Sequence, residues 1–375
     1  MPWGVVNLMS LREEFVRLSE GKEVSFSELC QRFGISRKTG YKWVSRYHER
    51  GSDGLADLSR RPRCLPRQME SWKEEAIVEL RKRHPTWGAR KIRRLLKNRG
   101  AESVAACSTI TAVFHRHGLV DPEAAGSRPN WQRFEHAVPN SLWQMDFKGW
   151  LPTVAAKAHP LTVLDDHSRF NLCLKALPNE QSAGVKQALT HTFRRYGLPN
   201  TLLMDNGSPW GSDAAHPYTP LTVWLIRLGI WASHSRPYHP QTVGKDERFH
   251  GTLKRDLLNR YQWQDLSHLQ HALDRWRDQY NFIRPHEALG LEVPASRYQP
   301  SLRCFPESLP PIEYQQGIAV RKVQQGGELF FRGRTFRVGK AFCGYRVGLR
   351  PAITDGVYDV VFCHQTVSQI DLREL

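Results

Sequence analysis

Tyr238-His-Pro-Gln-Thr-Val-Gly-Lys-Asp-Glu-Arg-Phe-His-Gly-Thr-Leu-Lys254 runs from a breaker-rich loop into a helix. The pattern places Glu247 on the first turn or two of that helix. Lys254 follows seven residues later, two turns on, and so shares the face of Glu247. Upstream, Asp146 and Asp205 each sit in or at the end of a short apolar run with strand character. Carboxylates drawn from three separate elements, followed by a basic helix, predict metal ions acting on phosphate.

Each acid is weak evidence alone. Asp146 lies mid-strand in Leu142-Trp-Gln-Met-Asp-Phe-Lys148, where a buried carboxylate is expensive unless paired or metal-bound. On an edge strand it would simply face solvent. Asp205 ends Thr201-Leu-Leu-Met204 and opens Asp205-Asn-Gly207, a common tight-turn sequence. Glu247 by itself reads as a solvated helix residue. Together the three supply the oxygen ligands that Mg²⁺ or Mn²⁺ takes. Two such ions, roughly 3.5–4 Å apart, activate a water or 3′-hydroxyl and stabilise the leaving oxygen. Among rival carboxylates, Asp165 and Asp166 read as hairpin-turn residues and Asp213 falls in a Gly/Ser/Ala/Pro loop. Asp246 would face about 100° around the helix from Glu247. His239, His250 and His286 show no Cys/His ligand spacing.

Outward from these residues the chain divides into regions. Residues 1–50 read as a helix-turn-helix: Ser27–Phe33 forms one helix, Gly34-Ile35 turns, and Ser36 caps a second helix through Tyr47. Arg37, Lys38, Tyr41 and Lys42 on that second helix are available to a DNA groove. Residues 51–68 form a linker whose Arg60, Arg61 and Arg63 could follow phosphates or merely tether two modules. Residues 69–120 read as a second helix-turn-helix DNA-binding domain, with Trp72, Ala76, Ile77 and Leu80 at helical spacing in its first helix. Its next helix turns Ile92, Leu95 and Leu96 inward and Arg90, Lys91, Arg93, Arg94 and Lys97 outward. Arg90, Lys91 and Arg94 are candidate DNA contacts. A linker at 121–140 leads to residues 141–300, where strands and helices alternate in an α/β layer pattern headed by a hairpin. Glycine-separated strand pieces from Ile318 onward predict a small all-β barrel within 301–375.

Bulk composition agrees with this division. The 375 residues leave room for two or more domains, each with its own core. Twelve Trp and sixteen Phe exclude wholesale disorder. Lys and Arg outnumber Asp and Glu by 54 to 37, a formal net charge of +17 that points to a polyanion partner. The excess is concentrated: Arg60 to Gly100 holds fourteen Lys and Arg against four Glu. The seven cysteines form no CxxC pair, which argues against a disulfide framework or zinc ribbon. No apolar run approaches the roughly 18 residues that would cross a bilayer. A cytoplasmic, nucleoid-associated protein with no membrane partner is the expectation.

Six motifs follow one another in order: Trp143-Gln-Met-Asp146, Leu164-Asp-Asp-His-Ser-Arg-Phe170, Asp205-Asn-Gly-Ser208, Ser235-Arg-Pro-Tyr-His-Pro-Gln-Thr242, Gly244-Lys-Asp-Glu-Arg-Phe-His250 and Tyr280-Asn-Phe-Ile-Arg-Pro-His286. Together they resemble the integrase-like transposases of bacterial insertion sequences, relatives of the retroviral integrases. The resemblance covers roughly Ser141 to Tyr298, and the helix-turn-helix start fits it. It implies a ribonuclease-H-like fold and a triad of Asp146, Asp205 and Glu247 holding two Mg²⁺ ions, with Mn²⁺ as a substitute. It implies that Lys254 contacts element-end DNA, with Lys245 and Arg248 as neighbouring candidates. Terminal inverted repeats and target DNA would be the partners, and a dimer or larger homo-oligomer would hold paired ends. Cleavage and strand transfer would be the reaction. A non-catalytic DNA-binding regulator and a ribonuclease-H-type nuclease are the alternatives. Two departures from the family pattern stand out. Asp205 and Glu247 are 42 positions apart, a longer spacing than usual that the Pro209–Pro220 loop can absorb, and Val243 replaces a residue that is often polar.

Overall fold

A computed structural model of the chain describes residues 8–21, 23–58, 69–120, 135–211, 218–234 and 244–373. They form two compact units, divided between Met69 and Glu70. The first unit is three helices, α1 (Leu8–Glu20), α2 (Phe26–Arg32) and α3 (Arg37–Arg50). Ser25 and Ser36 cap α2 and α3, their hydroxyls accepting the backbone N–H of Glu28 and Thr39. Phe15, Val16, Leu29, Cys30, Trp43 and Leu55 make the core. Gly40 permits the close approach of α3: a Cβ there would come 2.8 Å from Cys30 Sγ and 2.9 Å from the Phe15 ring. The linker expected from residue 51 starts later. Gly51–Leu55 coils back as a 3₁₀ turn and buries Leu55 completely. Arg12 fixes that turn, donating to the Leu55 carbonyl at 2.7 Å while its guanidinium lies 3.9 Å above the Trp43 ring.

The second unit opens with α4 (Ser71–Arg83), α5 (Ala89–Asn98) and α6 (Cys107–Arg116). Ile77, Leu80, Trp87, Ile92, Leu95, Ile110, Val113 and Phe114 are buried among them. Trp72, at a spacing that suggested the inner face, is 63% exposed and donates its ring N–H to Glu70.

The central layer follows. Its strands are β1 (Leu142–Phe147), β2 (Leu151–Pro152), β3 (Lys157–Asp165), β4 (Asn171–Leu177), β5 (Thr201–Met204) and β6 (Trp231–His234). β4, β3 and β1 form an antiparallel meander, and β5 and β6 extend it in parallel, giving the order β4-β3-β1-β5-β6, with β2 on the start of β3. Parallel pairs need crossovers, supplied by α7 (Ser182–Tyr196) and α8 (Pro220–Arg227). These two pack on one face against Trp143, Met145, Leu161 and Val163. The other face, through Leu164 and Leu174, holds α9 (Gly244–Asp256) and α10 (Leu266–Asp278). Helices thus cover both faces of a mixed sheet, the layered α/β class expected.

The carboxyl-terminal part is all β, but the expected barrel does not close among the described residues. β7 (Ala319–Lys322), β10 (Arg346–Pro351), β11 (Val357–Phe362) and β12 (Gln365–Asp371) form an open antiparallel sheet, and β8 (Glu328–Phe331) pairs with β9 (Arg334–Arg337) as a separate hairpin. The physical reason is that the apolar face is covered from elsewhere. Phe342 packs on Tyr218, and the Gln365 amide bonds both Ala232 N and Ala232 O on β6. No described helix is long and apolar enough to cross a membrane.

Candidate active site

Strand period decides which side chains meet which layer. On β1, Trp143 and Met145 enter the α7–α8 core, so Gln144 and Asp146 face α9. Asp146 Oδ2 lies 3.8 Å from His250 Nδ1 on α9. Thr162, paired across from Asp146 on β3, donates to the Asp146 carbonyl at 2.9 Å and sits 2.9 Å from His250 Nε2. Thr162 has a single hydroxyl proton, so His250 donates from Nε2 and turns the Nδ1 lone pair to Asp146. Burial, reinforced by the charge of Lys148, holds the His250 pKa down to about 3. Despite the short separation, the two side chains are therefore not an ion pair at neutral pH.

Asp205 follows β5, the parallel neighbour of β1. Its carboxylate accepts Gly207 N at 3.0 Å and the ring N–H of Trp210. Trp210 in turn stacks on Phe147, ring centroids 5.2 Å apart, which ties the Asp205 turn to the strand carrying Asp146. Burial, and after it the charge of Asp205, pushes the Asp146 carboxyl up to about 7. Two oxygen-rich groups that repel each other in this way fit a hard divalent cation, whose charge would remove the penalty.

Along α9 the inward face carries Asp246, Phe249, His250 and Leu253, while Glu247, Arg248 and Lys254 are exposed. At about 100° per residue, Glu247 and Lys254 lie within about 20° of each other on the flank beside His250. The structure thus brings Asp146 and Asp205 together and leaves Glu247 on the outer flank of α9. Among the described residues, no three His, Cys, Asp or Glu side chains are arranged to hold a metal.

The candidate DNA contacts separate by environment. Arg37, Lys38, Tyr41 and Lys42 are all exposed on α3. Tyr41 stacks on Phe26 at 4.2 Å and Lys42 Nζ lies 4.2 Å above the Trp43 ring. Arg60, Arg61 and Arg63, like the 235–242 motif and His239, lie outside the described residues. On α5, Arg90 points outward, but Arg94 pairs with Glu292. Lys91 is half-buried, its ammonium lowered to about 8 by burial and by Arg284. Lys245 also turns inward: its ammonium pairs with Asp166, which is buried and also accepts Gln144 Nε2 at 2.8 Å and His136 N at 2.9 Å. Three neighbours of Asp146 had not been singled out as site residues. Lys148 comes two residues after Asp146, just past the end of β1. Asp246 and His250 had been weighed in the sequence and set aside, and only the packing of α9 on β1 brings them toward Asp146.

Profiles of known families match consecutive parts of the chain. A helix-turn-helix domain matches 11–63, a homeodomain-like domain 39–114, integrase core domains 136–240 and 228–294, and the IS481 family transposase C-terminal domain 318–375. Taken together, these matches support a bacterial insertion-sequence transposase of the integrase-like kind. A protein of insertion element IS476 from Xanthomonas euvesicatoria is 27% identical over 253 residues, 66% of this chain and 71% of that protein. A protein of insertion element IS407 from Burkholderia multivorans is 26% identical, over 42% of this chain and 55% of its own length. The Gag-Pol polyprotein of feline leukemia virus is 29% identical over 157 residues, 8% of that polyprotein. Among solved structures, a chain of the simian T-cell lymphotropic virus intasome in complex with a PP2A regulatory subunit overlays at a TM-score of 0.37. It is 17% identical and covers 78% of this chain and 99% of that one. The HTLV-2 integrase catalytic core with magnesium gives 0.35, at 20% identity, over 44% and 99%. Both overlays are loose.

Proposed function

We propose that the protein binds the terminal inverted repeats of an insertion sequence and catalyses metal-dependent DNA cleavage and strand transfer. The observation that carries this reading is the approach of Asp146 on β1 and Asp205 just past the parallel neighbour β5, close enough that the charge of Asp205 adds to burial in raising the Asp146 carboxyl. Asp146, Asp205 and Glu247 would hold two Mg²⁺ ions, or Mn²⁺ in their place. Such ions activate the attacking oxygen and stabilise the departing one. In cleavage, a water oxygen bonds to phosphorus and the bond to the 3′ oxygen breaks, releasing a 3′-hydroxyl. In strand transfer, that hydroxyl attacks a target phosphate and displaces a second 3′ oxygen.

The chain's own residues prepare this displacement. Thr162 ties down the Asp146 backbone and orients His250, which lies beside the carboxyl without adding a positive charge there. Trp210 and Gly207 orient Asp205. Lys254 and Arg248, exposed on the flank that also carries Glu247 or next to it, would contact backbone phosphates. The exposed basic face of α3 would read the repeats, with Arg90 adding a contact. A homo-oligomer of two or more chains would hold the paired ends.

Purified wild-type protein and Glu247→Gln, incubated with Mg²⁺ and labelled repeat ends, test the reading. Joined products from wild type alone, with end binding kept by both, are expected. Cleavage by Glu247→Gln at the wild-type rate would sink the triad. Binding without cleavage by wild type in both Mg²⁺ and Mn²⁺ would leave a DNA-binding regulator.

A further inference from the structure

The residue beside Glu247 raises a separate question. Asp246 is 2% exposed, and its Oδ1 atom has no hydrogen-bond partner among the described residues. An acid this buried is normally paired or bound to a cation. The Lys245 ammonium, whose charge it feels, does not satisfy it, because that ammonium is committed to Asp166. Asp246 lies one turn before Phe249 and His250 on the inner face of α9, and His250 is the residue that reaches Asp146. That face looks onto the side of β1 that carries Gln144 and Asp146.

We infer that Asp246 is a further carboxylate of the cation site, acting with Asp146 from the inner face of α9. This rests on the reading of Asp146 as a cation ligand. Electrostatics agrees with the placement: burial first, and then the charges of Asp146 and Asp166, push the Asp246 carboxyl well up, with Lys245 opposing. A chain without a cation gains nothing from placing a second acid there. With one, the orphaned oxygen acquires a partner and Asp146 loses a repulsive neighbour. The ligand class is a hard divalent ion such as Mg²⁺ or Mn²⁺, since the donors are carboxylate oxygens. Glu247 and Asp246 then have different duties. The exposed residue can move toward the site from solvent, while the buried one is fixed by the packing of Phe249 and Leu253.

Mn²⁺ binding by the full-length protein, followed by calorimetry and by the rise in melting temperature that the ion produces, tests this without any DNA. Wild type, Asp146→Asn, Asp246→Asn and Asp246→Ala are compared, the alanine variant guarding against poor folding of the asparagine one. Asp146→Asn should lose the ion, and both Asp246 variants should bind it at least roughly tenfold more weakly. Asp246 variants that bind Mn²⁺ within twofold of wild type, while Asp146→Asn loses it, overturn the inference and leave the triad intact. Wild-type binding by Asp146→Asn as well overturns both the inference and the cation reading of Asp146.

Discussion

Asp146 holds its proton to higher pH than a free carboxyl for two reasons that can be separated by titration. It is mostly buried, and it faces Asp205, so its carboxyl is raised to about 7. A carboxyl raised on folding contributes stability that is present below its unfolded value, about 3.9, and lost as pH climbs through the folded value. His250 works in the opposite sense. Its folded value is lowered to about 3, so its contribution is complete above about pH 6.5 and is lost as pH falls. The two slopes offset each other between pH 4 and 6.5, and above that Asp146 is left alone. Asp146→Asn should therefore stabilise the metal-free protein more at pH 8 than at pH 5, by on the order of 2 kcal/mol. Denaturant melts in chelator at both pH values measure it. A difference that does not change with pH would mean that Asp146 is ionised normally. Excess Mg²⁺ should erase the gain at pH 8, because the cation then does for the carboxylate what the asparagine did.

The elements differ in how readily they carry sequence signals. β1 was legible because Trp143, Met145 and Phe147 alternate with Gln144 and Asp146, and a strand buried on both faces still keeps its period of two. The helix-turn-helix was legible through its caps, Ser36 and the turn at Gly34. α1 was not singled out, since Phe15 and Val16 bury themselves among charged neighbours and gain meaning from Leu55, forty residues on. α5 shows the limit most clearly. Its apolar stripe correctly placed Ile92 and Leu95 inside. Its five basic residues looked alike in sequence, yet Arg94 answers to Glu292, and Lys91 senses Glu287 and Asp256, all acids from the far half of the chain. Charge pairing across that distance leaves no local trace. The same split gives a prediction for DNA binding by α5. Arg90→Ala should weaken binding to repeat ends and reduce the salt slope by about one. Arg94→Ala should change end affinity less than twofold and cost at most about 1 kcal/mol of stability, because its pair is partly exposed. Anisotropy titrations at several salt concentrations distinguish them, and equal losses from both variants would place Arg94 on the DNA instead.

At the scale of the molecule, the carboxyl-terminal sheet completes the core beneath β5 and β6. Leu329, Phe331, Phe342 and Phe362 belong to the same apolar cluster as Trp224 and Ile230. Arg303 donates to the carbonyls of Pro199, Leu228 and Gly229 on the way to that sheet. A barrel would have to fill its own interior, whereas an open sheet can spend its apolar face on a neighbour, and this one does. Gln365 is the residue that makes the junction testable. It is 6% exposed, and its amide satisfies both the N–H and the carbonyl of Ala232 on β6. Gln365→Ala would leave both groups buried and unpaired, at about 1–3 kcal/mol each. In calorimetry of the full chain, the transition belonging to residues 70–375 should fall by several degrees, while that of the first unit stays where it was. Because β6 runs beside β5, which ends just before Asp205, the same variant should lower Mn²⁺ affinity. A variant that melts and binds Mn²⁺ like wild type would show the carboxyl-terminal sheet to be an appendage, independent of the layer that holds the acids.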